Sequence, residues 1–373
     1  MDIAMGLDAK APLISAAIVF GLSASAAAST PVFSILTTLP GHPTLGLVIG
    51  STIYGTDPNG GTGAGTLFSL TESGTYTLLH TFVAPTEGYQ ANGLLALGQK
   101  GSVWGTTTTS GPHGGGTLFN YSTSGLKVMH AFGASGDGSG PLQGPVGDAA
   151  GTIYGTTSGG AISTNGNLFS YASNGAYTQM HDFLSGTDGH CPFSGIVHNI
   201  AGTIYGTTVG HGFGGNPNGS VWKFIGSTLT TLYVFADGND GEWPDQAPTL
   251  DLQGNLYGTT HIKNGVGFAG AIWKISTKGV FSVMYDLKGS TDGSGPNSPL
   301  VLNSDGFLYG TTSAGGSAGL GTVFRISLAG HFEVIHTFTN KGDGYTPTGS
   351  LARDRSSNIF GGTAGGTVFK ITP

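Results

Sequence analysis

Residues 236–246 read ADGNDGEWPDQ, a run in which Asp237, Asp240, Glu242 and Asp245 surround Trp243. Four carboxylates within nine residues offer the several oxygens that a hard cation such as Ca²⁺ requires, although the spacing is not that of an EF-hand loop. The same set suits a sugar. The indole face stacks on the apolar side of a ring, and the acids accept hydrogen bonds from its hydroxyls. A little further on, HIKNG (261–265) brings His261 and Lys263 together. A lyase acting on acidic sugars needs a base and a cation that neutralises the uronate, and this pair is right in type. The candidate catalytic groups are therefore His211, His261 and Glu242. The candidate ligand contacts are Trp243, Asp240, Asp245, His113, His190 and Lys263. Asp237, Asp240, Glu242 and Asp245 are the candidate cation ligands, with Ca²⁺ as the cofactor they would suit. The plain alternative is a solvated acidic loop.

Other chemistry lacks support. No G-x-S-x-G, H-E-x-x-H, C-x-x-C or Walker pattern is present, so nucleophile, zinc and nucleotide chemistry have no motif to stand on. Glycine runs such as GPHGGG (111–116) precede strand-like segments, whereas phosphate cradles precede helices. Cys191, the single cysteine, has no internal disulfide partner, and beside His190 it reads as incidental rather than reactive. The 13 Lys and Arg are scattered through a chain of net charge −7, which excludes the basic cluster that a nucleic-acid surface needs.

What must position these residues is a β architecture. Gly is 69 of 373 residues without a collagen period, and 38% of residues are hydrophobic; such a chain buries a core and turns often. Residues 11–28, APLISAAIVFGLSASAAA, form an apolar run ending in small residues, with Ala26 and Ala28 placed as in an A-x-A cleavage site. Residues 1–28 are expected to be a signal peptide, the run being short for a bilayer span. The expected mature chain, 29–373, is a single exported domain and a monomer without a membrane span.

GTIYGTT occurs at 151–157 and again at 202–208. Its relatives, an aromatic followed by Gly, centre on Tyr54, Trp104, Tyr154, Tyr205, Tyr257, Tyr309 and Phe360, at spacings of 50, 50, 51, 52, 52 and 51. That period is the one of four-stranded propeller blades. In the sixth copy PNSPLVLN (296–303), GFLYGTT (306–312), GTVFRIS (321–327) and HFEVIHTF (331–338) read as four strands bounded by Gly, Asn and Asp. No segment has a 3.6-residue apolar period, so helices should be nearly absent. The last copy lacks a fourth strand, and FSILTTL (33–39) carries that pattern at the other end of the chain. The fold expected is all-β, one seven-bladed β-propeller with four antiparallel strands per blade. Its ring is closed by the N-terminal strand 32–39 pairing with the C-terminal blade, leaving no open sheet end.

The order G-x-[IL]-Y-G-T-T, G-T-[LV]-F, D-G-x-x-P over residues 33–373 resembles the Gloeo/Verruco (GloVer) repeat of bacterial exported proteins. The resemblance implies an exported propeller-like array and carries no general activity.

Internal symmetry separates scaffold from site. The seven aromatics recur in every blade, so they are expected to fill the space between blades; the Gly beside each is expected to permit close backbone approach. His80, His130, His181 and His336 share one fourth-strand position with Tyr233 and Tyr285, and should hold a structural polar partner. Asp137, Asp188, Asp240, Asp292 and Asp343, with Glu87, recur in the D-G-x-x-P loops; a turn explains them better than a ring of cation ligands. Non-repeating residues remain free to serve a ligand. They fall on the face carrying the fourth-to-first and second-to-third loops. The expected function is a binding module for an extracellular glycan or envelope component, with carbohydrate the ligand. The alternatives are a polysaccharide lyase or hydrolase on the same face, and a structural envelope protein.

Overall fold

The structure is a computed structural model and describes residues 29–91, 93–134, 136–159, 165–184, 188–210, 218–236, 238–263 and 269–373. The expected signal peptide 1–28, His211 and Asp237 lie outside the described residues. Seven antiparallel sheets of four or five strands follow one another as the blades of a β-propeller. One short helix, Ala84–Glu87, and one 3-10 turn, Gln99–Gly101, are the helical segments among the described residues. The last blade has the order Val32–Thr38, Thr367–Thr372, Ile359–Thr363, Pro347–Arg353. Its outer strand comes from the start of the chain and pairs antiparallel from Val32 opposite Thr372 to Thr38 opposite Thr367, with one register shift between Ile35 and Thr37. The Thr348 hydroxyl donates to the Pro43 carbonyl at 3.0 Å and ties this blade to the first.

The aromatic-Gly-Thr unit forms each second strand for a packing reason. Each Gly lies opposite the third-strand aromatic of its own blade: Gly55 faces Phe68, Gly206 faces Trp222 and Gly258 faces Trp273. A Cβ at any of the seven glycines would come within 2.2 to 2.6 Å of that ring. The ring covers the bare backbone, so the absent side chain makes a socket rather than a weakness. The aromatic just before each Gly fills the space between blades. Tyr54 packs with Phe119 of the second blade, and Phe360 packs with Phe68 of the first. Tyr257, Tyr309 and Phe360 are fully buried. Such rings each stabilise the fold by about 1.5–3 kcal/mol through apolar burial.

The inner strands are shorter than the sequence pattern predicts. In place of a continuous strand over 296–303, the sixth blade has Ser294–Pro296 and Val301–Leu302. The third and fifth blades keep only Val146–Gly147 and Thr249–Leu250. Pro145, Pro248 and Pro299 interrupt these runs, and a proline has no N–H to give the ladder.

The fourth strands are the outer edges. At each of six junctions a fourth-strand His or Tyr reaches the loop carboxylate seven residues ahead. The contacts are His80–Glu87 2.8 Å, His130–Asp137 2.7 Å, His181–Asp188 3.1 Å, Tyr233–Asp240 2.8 Å, Tyr285–Asp292 2.7 Å and His336–Asp343 3.1 Å. The carboxylates also accept backbone N–H groups, as Asp188 does from Leu184 and Asp240 from Ala236. Four of the rings stack on an aromatic of the next blade: His130 on Tyr177, Tyr233 on Phe281, Tyr285 on Phe332 and His336 on Phe33. The recurring His and Asp thus form one structural staple per junction, which is the turn reading of the D-G-x-x-P loops in physical form.

Candidate functional site

The loop that enters each blade repeats its backbone as well as its sequence. The fourth residue of the D-G-x-x-P pattern has positive φ in six loops: Gln90 59°, Gly140 66°, Cys191 56°, Trp243 56°, Gly295 61° and Thr346 46°. The conformation turns the N–H of this residue back onto the preceding blade. Gln90 donates to Ala64, Gly140 to Gly115, Cys191 to Asn165, Trp243 to Asn218 and Thr346 to Leu320, at 2.7–3.0 Å. Only Gly adopts this region without steric penalty, and a bulky side chain there is an outlier. Two of the six loops use Gly; the loop entering the fifth blade holds a half-buried tryptophan instead.

Around Trp243 the symmetry breaks further. The Glu242 N–H donates to the Ile262 carbonyl at 2.8 Å. The His261 N–H is shared between the carbonyls of Glu242 at 3.0 Å and Trp243 at 3.1 Å. These bonds pin the second-to-third loop of the fifth blade against its entry loop. They set His261 Nδ1 3.3 Å from Asp245 Oδ2. The Asp245 carboxylate raises the His261 pKa above its ordinary 6.5, outweighing the burial that pulls it down, and the Pro296 carbonyl adds to the rise. The residue four places after the second-strand aromatic is Pro58, Thr108, Ser158, Val209, Ser313 or Ala364 in the other six blades. Histidine at this place, with a carboxylate beside it, is particular to the fifth.

The structure therefore brings together four of the sequence candidates: Glu242, Trp243, Asp245 and His261. This group offers two carboxylates, an indole and an imidazole held towards its charged form, which together can accept hydroxyl protons, stack on a ring and move a proton. The others stand elsewhere. Asp240 accepts from the Tyr233 hydroxyl and the Ala236 N–H and belongs to the outer staple. Lys263 is buried and pairs with Asp286 of its own blade. His190 is 1% exposed, with Nδ1 3.5 Å from the Cys191 Sγ, and burial raises the Cys191 thiol pKa. His113 is exposed on the second-to-third loop of the second blade. No group of three or more His, Cys, Asp or Glu placed to hold a metal ion occurs among the described residues.

One feature escaped the sequence reading. A half-open hollow of about 140 Å³ is lined by Thr44, Pro58, Ala91, Gly93, Leu94, Leu142, Gln143, Gly349 and Ser350. These residues come from the first, second, third and seventh blades. They carry no shared motif, so their meeting is a product of the ring alone. Leu142 follows Pro141 as Asp245 follows Pro244, so the hollow lies on the same face as the Glu242 group, across the axis from it.

Residues 15–222 and 201–372 match the Gloeobacter/Verrucomicrobia repeat family. No curated protein matches the chain. Among solved structures, a streptogramin B lyase is 15% identical with a TM-score of 0.62, over 91% of this chain and 97% of that one. A gluconolactonase from Xanthomonas campestris is 13% identical with a TM-score of 0.52, over 92% and 89%. The extracellular domain of a hybrid two-component system from B. thetaiotaomicron is 12% identical with a TM-score of 0.62; the match spans 90% of this chain and 39% of that one. At these identities the likeness is one of fold.

Proposed function

We propose that this chain, which belongs to the Gloeobacter/Verrucomicrobia repeat family, is an exported propeller that binds a carbohydrate where Glu242, Trp243, Asp245 and His261 meet. The observation that carries the reading is Trp243 at φ 56°. The loop geometry is satisfied by Gly in two other blades, so the backbone conformation does not require an indole there. A half-buried aromatic face flanked by carboxylates is the arrangement that stacks on a pyranose and accepts its hydroxyls. Export is supported by the apolar, A-x-A-terminated segment 11–28. No helix among the described residues is long and apolar enough to cross a membrane.

The test is Trp243→Gly on a glycan array. Gly140 and Gly295 already occupy the same backbone position, so the variant should keep its fold while losing the stacking face. A central aromatic contact is worth about 2 kcal/mol, or roughly thirtyfold in affinity. A blank array for the wild type at millimolar calcium, or unchanged affinity in the variant, overturns the proposal.

A second reading, a polysaccharide-active enzyme, is favoured by one observation, the Asp245–His261 contact. A part-buried imidazole beside a carboxylate is a usual general acid or base. New reducing ends or unsaturated uronates in polysaccharide digests, abolished in His261→Ala, would establish it; silent digests would dismiss it.

A further inference from the structure

We propose that the turns of the fourth and fifth blades on the face opposite the Trp243 group dock this protein on an anionic lipid surface. These residues are distinct from the Trp243 group, and the carbohydrate reading is not needed for them.

Each blade sends two turns to that face, one between its first and second strands and one between its third and fourth. Four of the large apolar residues that stand exposed among the described residues fall on these turns of two neighbouring blades. Ile200 is 94% exposed and Leu252 53%, both in first-to-second turns. Ile225 is 53% exposed and Val280 62%, both at third-to-fourth turns. A lone exposed apolar side chain needs no explanation, whereas a group on one rim marks an interaction surface. In the fifth blade the two turns are joined, the Thr277 N–H donating to Asn255 Oδ1 at 3.1 Å.

The turns themselves do not ask for apolar residues. Where the fourth and fifth blades have Ile200 and Leu252, the third, sixth and seventh have Ala149, Ser304 and Arg355. At the place of Ile225 every other blade has Thr, Ser or Ala. Nor are the tips packed. A Cβ on Gly202, Gly226 or Gly279, close to three of the four residues in sequence, would meet nothing within 4 Å. The turns stand out into solvent as separate apolar points.

The charge around them says what covers them. Half-buried Lys223 and Lys274 lie near the ends of the third strands, and exposed Lys278 is two residues from Val280. The one acid in the sequence of these four turns is Asp251. It is 5% exposed and turned to the Asn255 amide and the Tyr257 hydroxyl. The opposite face carries the six staple carboxylates with Glu242 and Asp245. A chain of net charge −7 thus presents local positive charge where its apolar points are. That combination fits anionic head groups over acyl chains: the apolar side chains enter the interface and the ammonium groups meet phosphates. A second copy of the chain fits less well. A two-fold contact would lay these lysines against their own counterparts. Separate convex points also leave gaps against a rigid partner, whereas lipid closes around them.

The experiment is sedimentation of the full chain with vesicles of equimolar phosphatidylglycerol and phosphatidylcholine, against vesicles of phosphatidylcholine alone. The chain should bind the anionic vesicles and bind the neutral ones at least about fivefold more weakly. Raising salt from about 0.1 M to about 1 M, which shortens the Debye length from roughly 10 Å to roughly 3 Å, should weaken the anionic binding. Ile200→Ser combined with Val280→Ser should reduce it at least about tenfold, and Lys278→Gln about fivefold. The urea midpoint should not move, because all three side chains are exposed. The apolar segment 11–28 is the same in every variant, and amide hydrogen exchange separates its contribution: anionic vesicles should protect the four turns. No binding to anionic vesicles, equal binding to both kinds, binding that the substitutions leave unchanged, or protection that misses these turns overturns the proposal. So does self-association in sedimentation velocity that Ile200→Ser and Val280→Ser abolish while vesicles stay unbound; the face would then be an interface between copies.

Discussion

The clearest quantitative test of the blade-to-blade staple is Asp292→Ala. Asp292 is 5% exposed. One carboxylate oxygen accepts the Tyr285 hydroxyl at 2.7 Å, the other the Lys288 N–H at 2.7 Å. Its carbonyl accepts the Thr322 hydroxyl of the next blade at 3.0 Å. The Tyr285 ring in turn lies 4.0 Å from Phe332, nearly parallel to it. Burial and then the carboxylate push the Tyr285 phenol up to about 12. Truncation removes two hydrogen bonds to a charged acceptor, each worth about 1.5–3 kcal/mol, and leaves two donors behind. Tyr285 stands at an outer edge and can find water, so its share is discounted. The expected loss is about 2–4 kcal/mol by equilibrium urea unfolding at neutral pH. Tyr285→Phe should lose about 1 kcal/mol, and the double variant should lose less than the sum because the two share a bond. A chelator should leave the wild-type midpoint where it is. If the repeated carboxylates formed a calcium ring, added calcium would raise the midpoint by mass action and Asp292→Ala would abolish that rise. A loss under about 0.5 kcal/mol, typical of an unconstrained surface site, or a calcium shift that disappears in the variant, would refute the staple.

Three further outcomes follow from the same geometry. Gly258→Ala places a Cβ 2.3 Å from the Trp273 ring and should destabilise by about 1–3 kcal/mol; Trp273→Leu in the same chain should recover part of it, and simple additivity in urea would contradict the socket. Deleting residues 29–40 removes the outer strand Val32–Thr38 from the last blade, so the truncated chain should lose its cooperative transition; a truncated chain that melts like its parent contradicts the pairing. The two perturbed histidines should act in opposite directions with pH. The His261 pKa is raised, so its contribution is full below 6.5 and fades as pH rises through the folded value. Burial lowers the His336 pKa against the pull of Asp343, so its site loses stability as pH falls from 6.5 through the folded value. Histidine NMR titration of wild type, His261→Ala and His336→Gln checks both signs, and a His261 midpoint below that of His336 would contradict them.

The period was legible because every blade needs the same socket: a Gly on the second strand, a ring on the third, an aromatic for the next blade. The staple was legible in its parts but not as a pair. His80 and Glu87, or His336 and Asp343, lie seven residues apart at each junction, a constancy that would have joined them. Asp245 and His261 are sixteen residues apart and meet only because the entry loop of the fifth blade bonds backbone to backbone with its second-to-third loop. Lys263 looked available beside His261 in sequence, yet its buried side chain turns to Asp286. The half-open hollow could not be read at all, since Thr44, Gln143 and Ser350 come from three different blades.

The repeat also says why Trp243 weighs more than its neighbours. A left-handed residue other than Gly costs on the order of 1–2 kcal/mol, and four of the six entry loops carry one. In the loop of Gln90 the backbone is reused: its carbonyl accepts the Thr108 hydroxyl at 3.2 Å. Cys191 and Thr346 are small, so their side chains add little that a ligand could grip. Trp243 combines the largest side chain with the same penalty, and it does so in the one blade whose second-to-third loop supplies a histidine. Backbone demands repeat around the ring, so a departure that works against backbone preference and coincides with a second departure at a contacting position is what the carbohydrate proposal rests on.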